Sequence, residues 1–256
     1  MTKYIEVVNN NNIITIDDTT PRLYKTRSVP LNTLNPADVM DLSNIWTEEH
    51  WIYASENAEF RPRFIKRYDI TFASNEVLFS IRSMSNVPQA GFAVSQRNKL
   101  FYALNRTVAQ SSGLEYNFTL DFYGTLQNDY SVHGNGLQVF NESGNLIFDS
   151  TKYYLNVESS FFYNNESYKP SWNADLRNGF STGANRSASA IVLNSSISAA
   201  YLFEDFDDIY GLIYFAIFDG TIKIRPWITM LDTMLEWNSR LPNDCVQNSG
   251  FIVKIE

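Results

Sequence analysis

Cysteine and histidine are nearly absent from this chain. Cys245 is the only cysteine, which excludes an intrachain disulfide and a cysteine-built zinc site, and leaves Cys245 as a reduced small residue near a turn. His50 and His133 are the only histidines, and neither lies in a hydrolase motif. Charged residues make up only 19% of the chain while aromatics reach 15%, a balance incompatible with intrinsic disorder. Basic residues are the minority, 20 against 28 acids for a net charge of −8, so the electrostatic footprint of a nucleic-acid binder is missing. No apolar run approaches the roughly 20 residues that cross a bilayer as a helix. The stretch worth naming, Gly211 to Phe218, is far shorter. The first residues, Met1-Thr2-Lys3-Tyr4-Ile5-Glu6, lack the basic and apolar regions of a secretory signal, and the expectation is synthesis in a cytoplasm without membrane insertion.

What the 256 residues do contain is two-residue periodicity. Leu114, Tyr116, Phe118, Leu120 and Phe122 alternate with Glu115, Asn117, Thr119 and Asp121, which predicts a strand with one apolar and one wet face. Similar runs at Glu76–Arg82, Lys99–Leu104, Ala188–Leu193, Ile209–Phe218, Thr221–Ile228 and Gly250–Ile255 are bounded mostly by Gly, Asn, Ser or Pro. The expected fold class is all-β, as two β-sandwich-like modules. One short helix is expected near 36–46 in the first module, from the capping sequence Asn35-Pro36-Ala37-Asp38. Met230 to Trp237 fits a helical face or a strand, and both readings stand.

Compared with itself at the offset that lays Ile5 on Leu137, the chain repeats. Ile5-Glu6-Val7-Val8-Asn9 matches Leu137-Gln138-Val139-Phe140-Asn141, and Ile14-Thr15-Ile16-Asp17-Asp18-Thr19 matches Leu146-Ile147-Phe148-Asp149-Ser150-Thr151. Apolar alternation, a polar turn and a second strand ending on an acid predict a β-hairpin in each copy. The repeat divides the chain into modules 1–131 and 132–256, the second opening with hairpin 136–150.

The run Gly136-Leu137-Gln138-Val139-Phe140-Asn141, followed after a glycine turn by Phe148-Asp149-Ser150, resembles a hairpin signature of small structural proteins of tailed bacteriophages. The first copy departs from it in having Asn12 where the second has the turn glycine, and Asp18 where the second has Ser150. The resemblance implies a non-enzymatic virion component of the tail tip, tail fibre or tail decoration, without cofactor, whose partners are its own copies and other tail proteins. It transfers no catalytic residue. A carbohydrate-binding module of a tail fibre, with host surface glycan as partner, is the alternative.

Two aromatic groups are the candidate contact residues for either role: Trp46, Trp51 and Tyr53 beside Glu48 and Glu49, and Tyr163, Tyr168 and Trp172 around Asn164 to Ser167. Aromatic faces beside amides and acids stack on sugar rings, but the same residue types fill subunit interfaces and cores, the reading favoured here. The acidic cluster Glu204, Asp205, Asp207 and Asp208 offers oxygens to Ca²⁺ but lacks the glycine and closing glutamate of an EF-hand loop, so a solvated turn is expected. Ser167 to Ser187 reads as a long loop.

Overall fold

A computed structural model describes residues 4–8, 13–17, 22–41, 64–86, 90–105, 117–126, 136–164, 180–193, 197–198, 210–230 and 247–255. The first half carries β1 (Tyr4–Val8), β2 (Ile13–Asp17), β3 (Tyr24–Pro30), β4 (Asp38–Asp41), β5 (Phe64–Asp69), β6 (Glu76–Ser83), β7 (Ala90–Ser95), β8 (Leu100–Asn105) and β9 (Phe118–Gly124). The second carries β10 (Gln138–Phe140), β11 (Leu146–Asp149), β12 (Val157–Asn164), β13 (Phe180–Asn185), β14 (Ser189–Leu193), β15 (Ile197–Ser198), β16 (Tyr210–Asp219), β17 (Thr221–Met230) and β18 (Gln247–Lys254). The protein is all-β. The strands expected from periodicity lie where alternation placed them over the described residues, the one expected from Leu114 to Phe122 through its second part, Phe118–Gly124, while 114–116 lie outside the described residues.

Two hairpins, β1–β2 and β10–β11, stand as separate two-stranded sheets. The other strands form a six-stranded sheet, β12-β18-β14-β6-β9-β3, and a larger one ordered β13-β17-β16-β7-β8-β5-β4, with β15 alongside β16. Their pairings are antiparallel. Both large sheets cross residue 131, through Ile81 opposite Ile191 and through Gly91 and Phe92 opposite Ile217 and Ala216. The two halves therefore do not have separate cores. One buried cluster draws Phe79, Ile81, Phe92, Phe101, Phe118, Leu120 and Phe122 from the first half and Ile191, Leu193, Phe218, Ile222 and Ile252 from the second. Phe92 is at its centre, 5.3 Å from the ring of Phe118, 5.7 Å from Phe101 and 5.6 Å from Phe218 across the seam. Buried rings at such separations add edge and stacking attraction to their area burial.

Each half repeats one connectivity. The hairpin β1–β2 corresponds to β10–β11; β3 and β6 flank β9 as β12 and β14 flank β18; β5 and β7 flank β8 as β13 and β16 flank β17. The strands that join the halves, β6 with β14 and β7 with β16, pair each element with its own counterpart, the pattern of a self-complementary two-fold contact. The spacing of the sequence repeat persists. A register shift interrupts β3–β9 between Lys25 and Arg27 and β12–β18 between Val157 and Ser159, and the offset that lays Ile5 on Leu137 lays Lys25 on Val157. Ile81 lies opposite Leu120 and Ile191 opposite Ile252, and the same offset lays Leu120 on Ile252. The hairpins differ in register: Val7 faces Ile14, whereas Val139 faces Phe148, and a register shift between Val139 and Phe140 then sets Phe140 opposite Leu146.

The helix expected near 36–46 is absent over its described part. Asp38–Asp41 is strand β4, in register with Arg67 to Phe64, and the preceding Ala37 N–H donates to the Arg67 carbonyl at 2.7 Å. Sheet pairing satisfies these backbone groups better than one isolated helical turn, which is costly to nucleate. A 3-10 turn at Leu31–Thr33 precedes it and buries Leu31. Residues 42–46 lie outside the described residues. Met230 ends β17 as strand, and the rest of the ambiguous segment, 231–237, also lies outside.

Candidate functional site

The second copy of the repeated signature, residues 136–150, folds as a two-stranded hairpin of its own. Its turn is organised by Asn141, whose side-chain oxygen accepts from the Ser143 N–H at 3.0 Å and the Asn145 N–H at 2.8 Å, while its backbone N–H donates to the Asn145 carbonyl. Gly144 takes φ +78° in that turn, the left-handed region where a side chain is strained. At the open end, Ser150 Oγ accepts from the Leu137 N–H at 2.8 Å, and a Cβ on Gly136 would strike Thr151 and Ser150. Asp149 accepts from the Thr151 hydroxyl at 2.7 Å, the Thr151 N–H at 2.9 Å and Gln138 at 3.2 Å. Burial raises its pKa, but these donors outweigh burial and hold the carboxyl below its ordinary value. Phe148 stacks on Tyr154 with centroids 5.2 Å apart, and the Asp149 N–H donates to the Tyr154 hydroxyl at 2.7 Å. Burial raises the pKa of that phenol. These contacts all serve the hairpin's own geometry, while Leu137 and Phe140 are exposed.

Residues after the hairpin close the six-stranded sheet on itself. Lys25 N–H donates to the Tyr153 carbonyl at 2.7 Å, Leu155 N–H to the Leu23 carbonyl at 2.8 Å, and Lys254 N–H to the Asn156 carbonyl at 2.9 Å. The chain entering edge strand β12 is thereby bonded to the opposite edge strand β3, with Tyr24 bridging Tyr154. Leu23 and Leu155 are counterparts at the repeat offset, so this third junction also joins a segment to its own equivalent. Two cation–aromatic contacts cross it in opposite directions. Lys25 Nζ is 5.5 Å above the Tyr153 ring, and Lys152 Nζ is 5.7 Å above that of Tyr24. Tyr153 is 59% exposed.

Among the described residues of the first half, the carboxylates of Glu76 and Asp121 are buried. Glu76 accepts from Arg27 Nε and Nη2, both at 2.9 Å, from the Thr26 hydroxyl at 2.6 Å and from the Ala73 N–H at 2.7 Å. Burial pushes its pKa up, these donors push it further down, and the result is about 2. The Arg27 guanidinium also lies 4.0 Å over Phe122 and caps this end of the core. Asp121 accepts from Arg82 Nε at 2.7 Å and the Ser28 hydroxyl at 2.5 Å, on the sheet face turned away from the main core. The alternation that predicted a wet face there is correct in direction, but the face is covered: Asp121 is 2% exposed and Ser80 is fully buried. In the second half the equivalent face is apolar. Ala190, Val192 and Val253 form a second buried cluster backed by Leu78, Leu155, Phe251 and Ile255.

Of the aromatic residues expected as contacts, Tyr163 lies in β12 with its backbone opposite Asn248. Trp46, Trp51, Tyr53, Tyr168 and Trp172 lie outside the described residues, as do the acidic cluster 204–208 and Cys245. The expected loop ends earlier than Ser187: Phe180–Asn185 is strand β13. Sequence reading did not single out Tyr24, Lys25, Lys152 and Tyr153. The signal available was Leu23 and Leu155 at the repeat spacing, immediately beside them.

Comparison with protein-family models, with curated proteins and with solved structures found no match.

Proposed function

We propose that this chain is a non-enzymatic structural component of a bacteriophage virion, located at the tail and built from two related β-modules, 1–131 and 132–256. The observation that carries the reading is the hairpin signature standing at the head of a strand connectivity that occurs twice. Its action is recognition by shape. The core and the closed sheet hold the scaffold rigid, and the hairpin β10–β11, with exposed Leu137 and Phe140, docks on further copies or on other tail proteins. Assembly in this way needs no cofactor.

The test is immunogold labelling of intact particles with antibody against the chain, viewed by negative-stain electron microscopy. Label on the distal tail supports a tail-tip or fibre role, label along the tube or neck an architectural one, and no label on intact or opened particles rejects the virion reading. A second reading, a carbohydrate-binding module of a tail fibre, is favoured by one feature, the exposed Tyr153 ring flanked by lysine.

A further inference from the structure

We propose that Tyr154 is a latch that couples the position of the hairpin β10–β11 to closure of the six-stranded sheet between β3 and residues 153–155. It rests on the reading of this hairpin as the docking element, and it names the residue that decides when the hairpin is held. The main chain of Tyr154 belongs to the closure. It bridges Tyr24, and on either side of it the Tyr153 carbonyl accepts from the Lys25 N–H at 2.7 Å and the Leu155 N–H donates to the Leu23 carbonyl at 2.8 Å. The side chain belongs to the hairpin. Its hydroxyl accepts from the Asp149 N–H at 2.7 Å and donates to the Asp149 carbonyl at 3.1 Å, and its ring stacks within 6° of parallel on Phe148.

The Ser150 N–H donates to the Leu137 carbonyl inside the hairpin, so the preceding residue, Asp149, turns its own N–H and carbonyl away from β10. The Tyr154 hydroxyl therefore fills the place that a neighbouring strand would take on β11. Two neutral hydrogen bonds and one stacked ring hold less firmly than the continuous ladders inside the large sheets, so this contact is suited to opening below global unfolding. If residues 153–155 leave β3, the phenol leaves with them and Asp149 loses both partners. By linkage, a partner that draws the hairpin away through exposed Leu137 and Phe140 loosens the closure. The first repeat lacks this contact: the offset that lays Asp17 on Asp149 lays Arg22 on Tyr154, and a guanidinium has no acceptor for a backbone N–H.

The experiment is native-state amide hydrogen exchange of the full-length protein over a series of low urea concentrations. The Asp149, Lys25 and Leu155 amides are expected to open with one free energy and one urea dependence, below those of Phe101 and Leu120 in the core strands. Tyr154→Phe keeps the stacked ring and removes the hydroxyl. It should speed exchange at Lys25 and Leu155, whose own hydrogen bonds it leaves in place, roughly tenfold. Different opening energies among the three amides, a common energy equal to that of Phe101 and Leu120, or Lys25 and Leu155 amides unmoved in the variant would each overturn the coupling. Should the variant fail to fold, the parent measurement alone decides. Particle labelling is independent of these outcomes: labelled tails with uncoupled amides defeat the latch and leave the virion reading standing, and coupled amides in a chain absent from particles do the reverse.

Discussion

The two halves solve the same burial problem with different chemistry, and exchanging the solutions tests whether their strands are equivalent. Arg82 and Asp121 occupy the positions of Val192 and Val253: each lies next in the chain after the matched pairs Ile81/Ile191 and Leu120/Ile252. The Asp121 side chain is 3% exposed and that of Arg82 21%. Changing Arg82 to Val alone leaves a buried carboxylate held only by Ser28, which should cost about 3 kcal/mol. Changing Asp121 to Val alone leaves a guanidinium that still reaches water, so roughly 2 kcal/mol is expected. The double change removes both charges and installs the pair of apolar side chains that the second half already packs. It should fall within about 1 kcal/mol of the parent, because exchanging a buried pair for well-fitting hydrophobics is often neutral or stabilising. The coupling read from the cycle is then roughly 4 kcal/mol. Urea unfolding of the four proteins measures it, with m unchanged throughout. A double variant as unstable as the sum of the singles would refute the equivalence of the two faces.

Glu76 gives a pH dependence of fixed sign. Its folded pKa, about 2, lies below the ordinary value of 4.5, so its stabilisation is fully present above pH 4.5 and is lost as pH falls towards 2. With the side chain 1% exposed, about 3 kcal/mol is at stake. The gap in urea midpoint between parent and Glu76→Gln should therefore narrow from pH 5 to pH 2.5, and a gap that stays constant would show that the carboxylate contributes nothing. Gly250→Ala places a methyl against the Val192 carbonyl and the Phe161 ring and should cost about 2–3 kcal/mol, while Gly144→Ala, in open space but at φ +78°, should cost about 1 kcal/mol. Thermal melts that rank the two glycines in the opposite order would contradict the packing described for β14 and β18.

Local pattern carried the strands because alternation and turn residues act over a few positions. Phe118, Leu120 and Phe122 point to the core as their spacing requires. The same spacing assigned Asp121 to water, which fails because closure of a sheet is a long-range event: the bonds from Lys25 to Tyr153 and from Leu155 to Leu23 bring opposite edges together. The helix read from Asn35 to Asp38 fails for a related reason, since a capping sequence competes locally while the strand at Phe64 to Arg67 offers partners from far along the chain.

The repeat was legible only where the spacing stayed constant. Hairpins, bulges and the Leu120/Ile252 pair keep one offset between counterparts, but Ile81 and Ile191 lie closer together along the chain than that offset, so a fixed-offset comparison passes over β6 and β14. Residue identity hides them further: Ser80, Arg82 and Asp121 against Ala190, Val192 and Val253 share no chemistry. Backbone pairing reveals the correspondence because register depends on which face each residue takes, and a buried ion pair and a pair of valines can occupy the same face. It follows that equivalent positions in such a chain are found from pairing partners, and that polarity along one strand records the neighbours across the sheet as much as exposure to water.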